Sequence, residues 1–66
     1  MSAPHIVGRI ERRGLPALFV VRGTFPKGRD FYNVNETGKA PSGGYYRLET
    51  LAALKGFKVA DIKAEG

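Results

Sequence analysis

The stretch that decides the fold is GGYYRLETLAALKGFKVADI, residues 43–62. Its middle holds the only segment of the chain whose apolar residues follow helical spacing. Gly56 is well placed to end this helix in the left-handed conformation that glycine adopts most easily, and Phe57 can then pack back on the last turn. The stretch therefore predicts one short helix with a sharp end, on which the rest of the chain can pack.

The residues after the helix alternate between apolar and polar, as they do in a strand. Phe57 and Val59 flank Lys58, but the next apolar side chain is Ile62, so the phase of the alternation shifts. A β-bulge near residues 60–61, or burial on both faces, would explain the shift. We therefore expect a final strand here.

The residues before the helix allow two interpretations. Residues 45–52 fit helical spacing, so the helix could begin at the first tyrosine. Equally, residues 45–49 could form a strand, with Thr50 as the N-cap of a helix that runs through Lys55. We favour the strand, because the glycine-rich stretch before it is typical of a hairpin connection and Tyr-Tyr-Arg has little helix preference.

Three further strands are predicted earlier in the chain. Alternation predicts the first at residues 6–10, and the uniformly apolar residues 17–21 predict a central strand covered on both faces. Gly23 suggests a bend, and a third strand follows at residues 31–35. The expected fold is α+β: a small antiparallel sheet of four to five short strands, as a meander or a partly open SH3-like barrel, packed with one helix near residues 50–55.

Length and composition restrict the class of protein. The 66 residues suffice for a single domain over residues 1–66, with residues 1–4 disordered, and the absence of cysteine excludes disulfides and thiolate metal sites. The longest apolar run, Leu15–Val21, is far shorter than the roughly 18 residues of a membrane span. The first residues lack the pattern of a signal peptide, so we expect a cytoplasmic protein without a membrane partner.

The net charge of +5 is unevenly distributed. Residues 1–30 carry six basic and two acidic side chains, whereas residues 31–66 carry five and four. A basic balance favours polyanionic partners through long-range attraction, although it also keeps a small domain soluble.

The sequence contains few residues that could act in catalysis. His5 is the only histidine, and the six acidic residues are scattered singly. We therefore expect a binding protein, not an enzyme, with no catalytic residues, no metal and no cofactor. Residues 23–30, GTFPKGRD, have the glycine spacing of a phosphate-binding loop, but Arg29 and Asp30 stand where that motif needs Lys followed by Ser or Thr. A basic connection between strands is the simpler interpretation.

A face carrying tyrosine and arginine is the candidate binding surface. If the third strand pairs with the strand before the helix, Tyr32 opposes Arg47 and shares a face with it and with Tyr45, while Phe31 and Leu48 share the other face. Single-strand binders stack bases on such exposed aromatic rings. The alternative is that Tyr32 packs under Arg47 as an ordinary cation–π pair.

The basic turns are candidate phosphate contacts. Alternate turns of a meander emerge at opposite ends of the sheet, so Arg12, Arg13 and Lys39 are expected at one end and Lys27 and Arg29 at the other. We favour the Arg12-Arg13 tip for phosphate contact, although a solvated turn explains it equally well. The nucleic-acid-binding candidates are therefore Arg12, Arg13, Lys27, Arg29, Lys39, Tyr32, Tyr45 and Arg47.

Two resemblances exist at the level of fold. Strands followed by a short helix and a last strand resemble SH3-like small barrels. The segment from Asp30 to Lys55, with its central Thr37-Gly38-Lys39 turn, resembles the DNA-binding domains of phage integrases, which pack a helix on a three-stranded sheet. The second resemblance implies DNA binding.

Two functions of different classes remain. The first is a small nucleic-acid-binding module, for DNA or RNA, that contacts phosphate through its basic turns and bases through the tyrosine face. The alternative is a protein-binding modulator or inhibitor of a larger enzyme or machine, of the phage- or plasmid-accessory type, with an acidic protein partner. In either case an edge strand could pair two copies as a homodimer.

Overall fold

The computed structural model describes residues 4–40 and 44–64 and shows a four-stranded antiparallel sheet with one short helix. The strand order is β3-β2-β1-β4, so the first three strands form a meander and β4 returns to the free edge of β1. The predicted small α+β fold is confirmed, and the SH3-like barrel stays a prediction. The elements are β1 His5–Ile10, β2 Leu18–Thr24, β3 Asp30–Asn35, α1 Leu48–Lys55, a 3-10 turn Val59–Asp61 and β4 Lys63–Ala64.

The expected disorder at residues 1–4 falls largely outside the described residues, and Pro4 belongs to no helix or strand. No helix in the described part of the chain is long and apolar enough to cross a membrane.

The face of the sheet under α1, here called the helix face, holds the larger core. Val20 and Val34 lie opposite each other on β2 and β3, and Leu51 of α1 is completely buried in the same cluster. Leu48 and Leu51 are three residues apart, so both point to the same side of the helix and reach the sheet. Burying a leucine fully contributes roughly 1.5–3 kcal/mol, which makes Leu51 the main link between helix and sheet.

The opposite face, here called the loop face, is covered by the chain that follows β3. Val21 and Phe31 point to this face and are buried with Ala40. Gly23 lies opposite Phe31, and a Cβ at Gly23 would meet the Phe31 ring at 2.5 Å. The predicted bend at Gly23 is therefore wrong. This glycine lies inside β2, and it leaves the room that the Phe31 ring occupies.

Asn35 holds the start of the covering loop. Its Oδ1 accepts hydrogen bonds from the Thr37 N–H at 3.0 Å, the Thr37 hydroxyl at 2.9 Å and the Gly38 N–H at 2.7 Å. Its Nδ2 donates to the Lys39 carbonyl at 2.7 Å. Asparagine favours such turns because its short side chain can replace backbone partners. The result is a compact loop that turns back over Val21 and Phe31.

The predicted strand at residues 45–49 is reduced to a single bridge. The Tyr32 N–H donates to the Tyr45 carbonyl at 2.7 Å, and the Tyr45 N–H donates to the Tyr32 carbonyl at 2.8 Å. The pairing on β3 thus exists, but beyond Tyr45 the chain leaves the sheet.

The helix begins three residues earlier than a Thr50 N-cap predicts, since the observed N-cap is Arg47. Arg47 occupies the N-cap position with extended backbone and no side-chain cap hydrogen bond, and Leu48 is the first helical residue. An early start lets Leu48 pack against the core together with Leu51. Burial of Leu48 outweighs the better capping chemistry of Thr50, which is exposed.

The end of the helix is confirmed. Gly56 adopts the left-handed conformation, with φ of 77°, and its N–H donates to the Ala52 carbonyl at 2.9 Å. The Phe57 N–H donates to the same carbonyl at 3.1 Å, and the Phe57 ring packs against the helix-face core.

The strand predicted directly after the helix is wrong, as is the bulge near residues 60–61. A 3-10 turn takes their place, and β4 pairs only with Gly8 and Arg9. A Cβ at Gly8 would meet Ile62 Cγ2 at 2.6 Å, so the Ile62 side chain lies where Gly8 leaves room. The turn therefore brings Ile62 onto the helix-face core, and this explains the shift of apolar phase in the sequence.

Candidate functional site

A cleft lined by aromatic and basic side chains opens beside the turn that joins β2 to β3. Its volume of about 510 Å³ falls within the range of small-molecule sites, about 300–1,000 Å³. We call it the turn cleft. Its lining residues are Phe25, Pro26, Lys27, Arg29 and Tyr46.

The β2–β3 turn positions the cations of the cleft. The Phe25 N–H donates to the Arg29 carbonyl at 2.7 Å, and the Gly28 N–H donates to the Phe25 carbonyl at 2.8 Å. Gly28 has a φ of 88°, which glycine adopts without strain. This tight closure leaves Lys27 exposed at the tip and returns Arg29 toward the sheet. Residues 23–30 thus close a hairpin and open no helix, in agreement with the sequence interpretation.

Tyr46 supplies the other wall of the cleft. Directly paired residues share a face, so Tyr45 lies with Tyr32 on the helix face. Tyr46 lies on the loop face, because it contacts Phe25, which packs on the loop-face cluster. The Tyr46 ring contacts the Phe25 ring edge to face, with centroids 5.7 Å apart and planes at 84°. The Arg29 Cζ atom lies 4.1 Å from the centroid of the Tyr46 ring.

The cleft is supported by the core but open to solvent. The Phe25 ring packs on the buried Phe31 ring, with centroids 4.5 Å apart. Tyr46, in contrast, is 54% exposed. One wall is therefore fixed by packing, while the other presents accessible ring surface.

A second group of side chains, here called the tyrosine row, crosses the same end of the sheet on the helix face. Arg22 lies opposite Tyr32, and Tyr32 lies opposite Tyr45. The Arg22 guanidinium lies 5.9 Å from the centroid of the Tyr32 ring and forms an ion pair with Asp30. Tyr32 packs partly against the core, whereas Tyr45 is 46% exposed.

The ion pair in this row shifts the pKa of both partners. The hydrogen bond from Arg22 is the main cause that lowers the pKa of Asp30, and a hydrogen bond from the Thr24 hydroxyl at 3.1 Å acts in the same direction. The hydrogen bond to Asp30, followed by the charge of Asp30, raises the pKa of Arg22. The pair stays ionised through the neutral range, so Arg22 already has an anionic partner.

Five of the eight predicted binding residues lie at this end of the molecule. Tyr32 and Tyr45 share a face, as expected, but it is the helix face and not the face opposite the helix. The remaining three are cationic and exposed: Lys27, Arg29 and Arg47.

Two details of the predicted face are wrong. Arg47 is the N-cap of α1 and does not oppose Tyr32, whose neighbours are Tyr45 and Arg22. Phe31 and Leu48 do not share a face, because Phe31 packs in the loop-face cluster and Leu48 packs against the helix-face core.

At the opposite end of the sheet, Arg12 is engaged within the protein. Its Nε and Nη2 atoms donate to the Pro16 carbonyl at 2.9 and 2.7 Å, and Nη2 lies 3.2 Å from Glu36 Oε1. Arg12 thus ties the β1–β2 turn to the end of β3. Arg13 and Lys39 are exposed, so only part of the favoured Arg12-Arg13 tip presents free charge.

Sequence reasoning missed Phe25 and Tyr46 as site residues. The alternation of an extended chain would have separated Tyr46 from Tyr45, but the partner of Tyr46 across the loop face depends on the path of the covering loop. Within the described residues, no group of histidine, aspartate and glutamate side chains is arranged to hold a metal ion.

Comparisons of the chain with models of protein families, with curated proteins and with solved structures gave no match. The resemblances to SH3-like barrels and to phage integrase domains therefore rest on the sequence pattern alone.

Proposed function

We propose that the protein is a nucleic-acid-binding module whose binding surface is the turn cleft together with the exposed cations beside it. The observation that supports this most directly is the exposed Tyr46 ring, framed by Phe25, Lys27 and Arg29. Aromatic rings stack on bases and cations contact phosphates, and both kinds of group meet in this cleft.

The cations at this end are available for phosphate. Lys27, Arg29 and Arg47 are exposed and form no ion pair with any described residue. Arg22 is held by Asp30 and contributes less. Two of these cations line the cleft and the third directly follows Tyr46 in the chain, which is enough to contact a short run of backbone. The net charge of +5 adds long-range attraction.

The test is a titration of fluorescent DNA and RNA oligonucleotides over a series of salt concentrations. The logarithm of affinity should fall linearly with the logarithm of salt concentration, because bound phosphates release counterions. The Lys27→Ala/Arg29→Ala double variant should bind more weakly and lower the slope by about 1.4 on single strands, at about 0.7 per phosphate contact.

The matched control is the Arg13→Ala/Lys39→Ala double variant, which removes the same charge from the opposite end of the sheet. Its slope should stay near that of the unmodified protein. Equal losses of affinity and slope in the two variants would indicate attraction to the net charge of the protein without a defined binding site. Absence of binding at low salt would overturn the proposal.

A protein-binding role is the second candidate, and the outer edge of β1 favours it. β4 pairs only with Gly8 and Arg9, so among the described residues the rest of the outer edge of β1 has no strand partner. A strand from an acidic protein, or from a second copy, could add to such an edge. The distinguishing result is a stoichiometric protein complex that persists at a salt concentration at which no oligonucleotide binds.

A further inference from the structure

We propose that the turn cleft accepts one unpaired base, so that the protein prefers single-stranded to double-stranded nucleic acid. This inference rests on the nucleic-acid binding proposed above and specifies the form of the partner.

The two rings of the cleft suit a planar ligand. They are nearly perpendicular, at 84°, so a base that lies parallel to the Tyr46 ring is also nearly perpendicular to the Phe25 ring. Stacked and edge-to-face contacts are the two arrangements that aromatic rings prefer. The exposed fraction of Tyr46, 54%, leaves ring surface for the first contact, and the cleft volume of about 510 Å³ accommodates one nucleotide unit.

The cations at the cleft stand where the sugar–phosphate backbone of that nucleotide would pass. The Arg29 Cζ atom lies over one face of the Tyr46 ring, 4.1 Å from its centroid, so a cation–π contact holds ring and charge in position and the base stacks on the face that Arg29 leaves open. Lys27 stands at the exposed tip of the turn, and its flexible ammonium group suits an adjoining phosphate. Base and phosphate would thus be contacted by adjacent side chains.

The cleft is preorganised by the fold. Phe25 is packed on the buried Phe31, and the chain before Tyr46 is fixed to β3 by the hydrogen bonds between Tyr32 and Tyr45. Little ordering is therefore needed when a base enters, and preorganisation of this kind increases affinity.

A duplex does not offer such a base. Its bases are stacked on their neighbours and paired across the helix, so a ring can stack on one only after that base has been extruded. A single strand presents unpaired bases without this cost, whereas the phosphate contacts of Lys27 and Arg29 are open to both forms. The preference for single-stranded over double-stranded nucleic acid should therefore depend on Tyr46 and not on the cations.

The structure supplies a matched control for the stacking contact. Tyr45 precedes Tyr46 in the chain and is similarly exposed, at 46% against 54%, but it lies on the helix face. The variants Tyr46→Leu and Tyr45→Leu therefore remove the same ring from neighbouring positions on opposite faces. Leucine keeps an apolar side chain at each site, and Tyr46→Phe keeps the ring.

The experiment measures the affinity of each protein for one short labelled strand and for its duplex at the same salt concentration. The unmodified protein should bind the single strand more tightly. Tyr46→Leu should bind the single strand roughly 5- to 150-fold more weakly, the expected range for one stacked base, and should bind the duplex almost unchanged. Tyr46→Phe and Tyr45→Leu should both stay near the unmodified protein.

The possible failures can be told apart. Equal affinity of the unmodified protein for strand and duplex would overturn this inference and leave nucleic-acid binding in place. Equal losses in Tyr46→Leu and Tyr45→Leu would do the same. Binding to neither form would overturn the proposed function itself. The ratio of single-strand to duplex affinity for the unmodified protein requires no variant, so it decides the question even if a variant fails to fold.

Discussion

The two faces of the sheet are buried in different ways. On the helix face, a regular helix places Leu51 at complete burial over β2 and β3. On the loop face, irregular chain after β3 buries Val21 and Phe31 with Ala40, and beyond it the chain presents the exposed Tyr46. The comparison indicates a division of roles. The helix completes the core, whereas the cover of the loop face also supplies one wall of the cleft.

The largest expected effect is on the helix face. Leu51→Ala should lower the free energy of unfolding by about 2–5 kcal/mol, because it leaves a cavity under α1. Small domains have about 5–15 kcal/mol in total, so this loss is a large share of the stability. Urea denaturation measures the change, with Leu54→Ala as control, since Leu54 is 61% exposed. Equal effects of the two variants would contradict the docking of α1 through Leu51.

An intermediate effect is expected at the start of the loop-face cover. Asn35→Ala removes the three hydrogen bonds accepted by Oδ1 and the one donated to Lys39, and it should cost about 1–2 kcal/mol. Oligonucleotide binding should weaken as well, because the loosened loop leads to Tyr46. Thermal unfolding and titration of the same samples measure both changes.

Asn35→Asp is the matched control for that variant, because it keeps the acceptor at Oδ1 but places an oxygen against the Lys39 carbonyl where the amide donated. It should recover only the part of the stability and binding that the three bonds accepted by Oδ1 supply. If Asn35→Ala lost stability but bound oligonucleotide normally, the loop-face cover would not position the cleft.

The smallest effect is expected at Asp30, on the helix face. Its pKa is lowered in the folded protein, so the ion pair contributes stability above the unfolded-state pKa of about 3.9. That contribution is lost as the pH falls through the lowered folded-state pKa. Asp30→Asn should remove this acid-dependent component, and only slightly, because both partners are well exposed to solvent.

The measurement for Asp30 is the melting temperature of both proteins between neutral pH and about pH 3, where the difference between the curves isolates this carboxylate from the others. The difference should be largest at neutral pH and shrink on acidification. Binding at neutral pH should not decrease, because Asp30→Asn leaves the cleft unchanged. A difference independent of pH would show that the ion pair adds no stability.

The sequence predicted the fold best where one residue carries a local signal. Gly56 ends the helix because the left-handed conformation costs glycine little, and this holds in any tertiary context. The start of the helix depends instead on tertiary packing. Thr50 has the better capping side chain, but Leu48 becomes part of the core only if the helix begins earlier.

The faces of β3 could not be assigned from alternation. Phe31 and Tyr32 are adjacent aromatic residues, and each packs against a core on its own side of the sheet. A period-2 pattern identifies a buried face only when the other face is polar. Because the faces could not be assigned, the cleft could not be predicted either, since Phe25 and Tyr46 meet only when both lie on the loop face.

Gly44 lies close against the backbone of β3. A Cβ at this position would overlap the backbone oxygen of Tyr32 and approach Asn33 Cβ to 3.2 Å, so no larger residue fits. Tyr46, two residues later, faces no such restriction. The two positions should therefore differ in how far they are conserved. Every descendant that keeps this fold should retain the glycine, whereas the tyrosine should persist only under selection for what the cleft binds. Lineages that keep the first and lose the second would mark where that binding was abandoned.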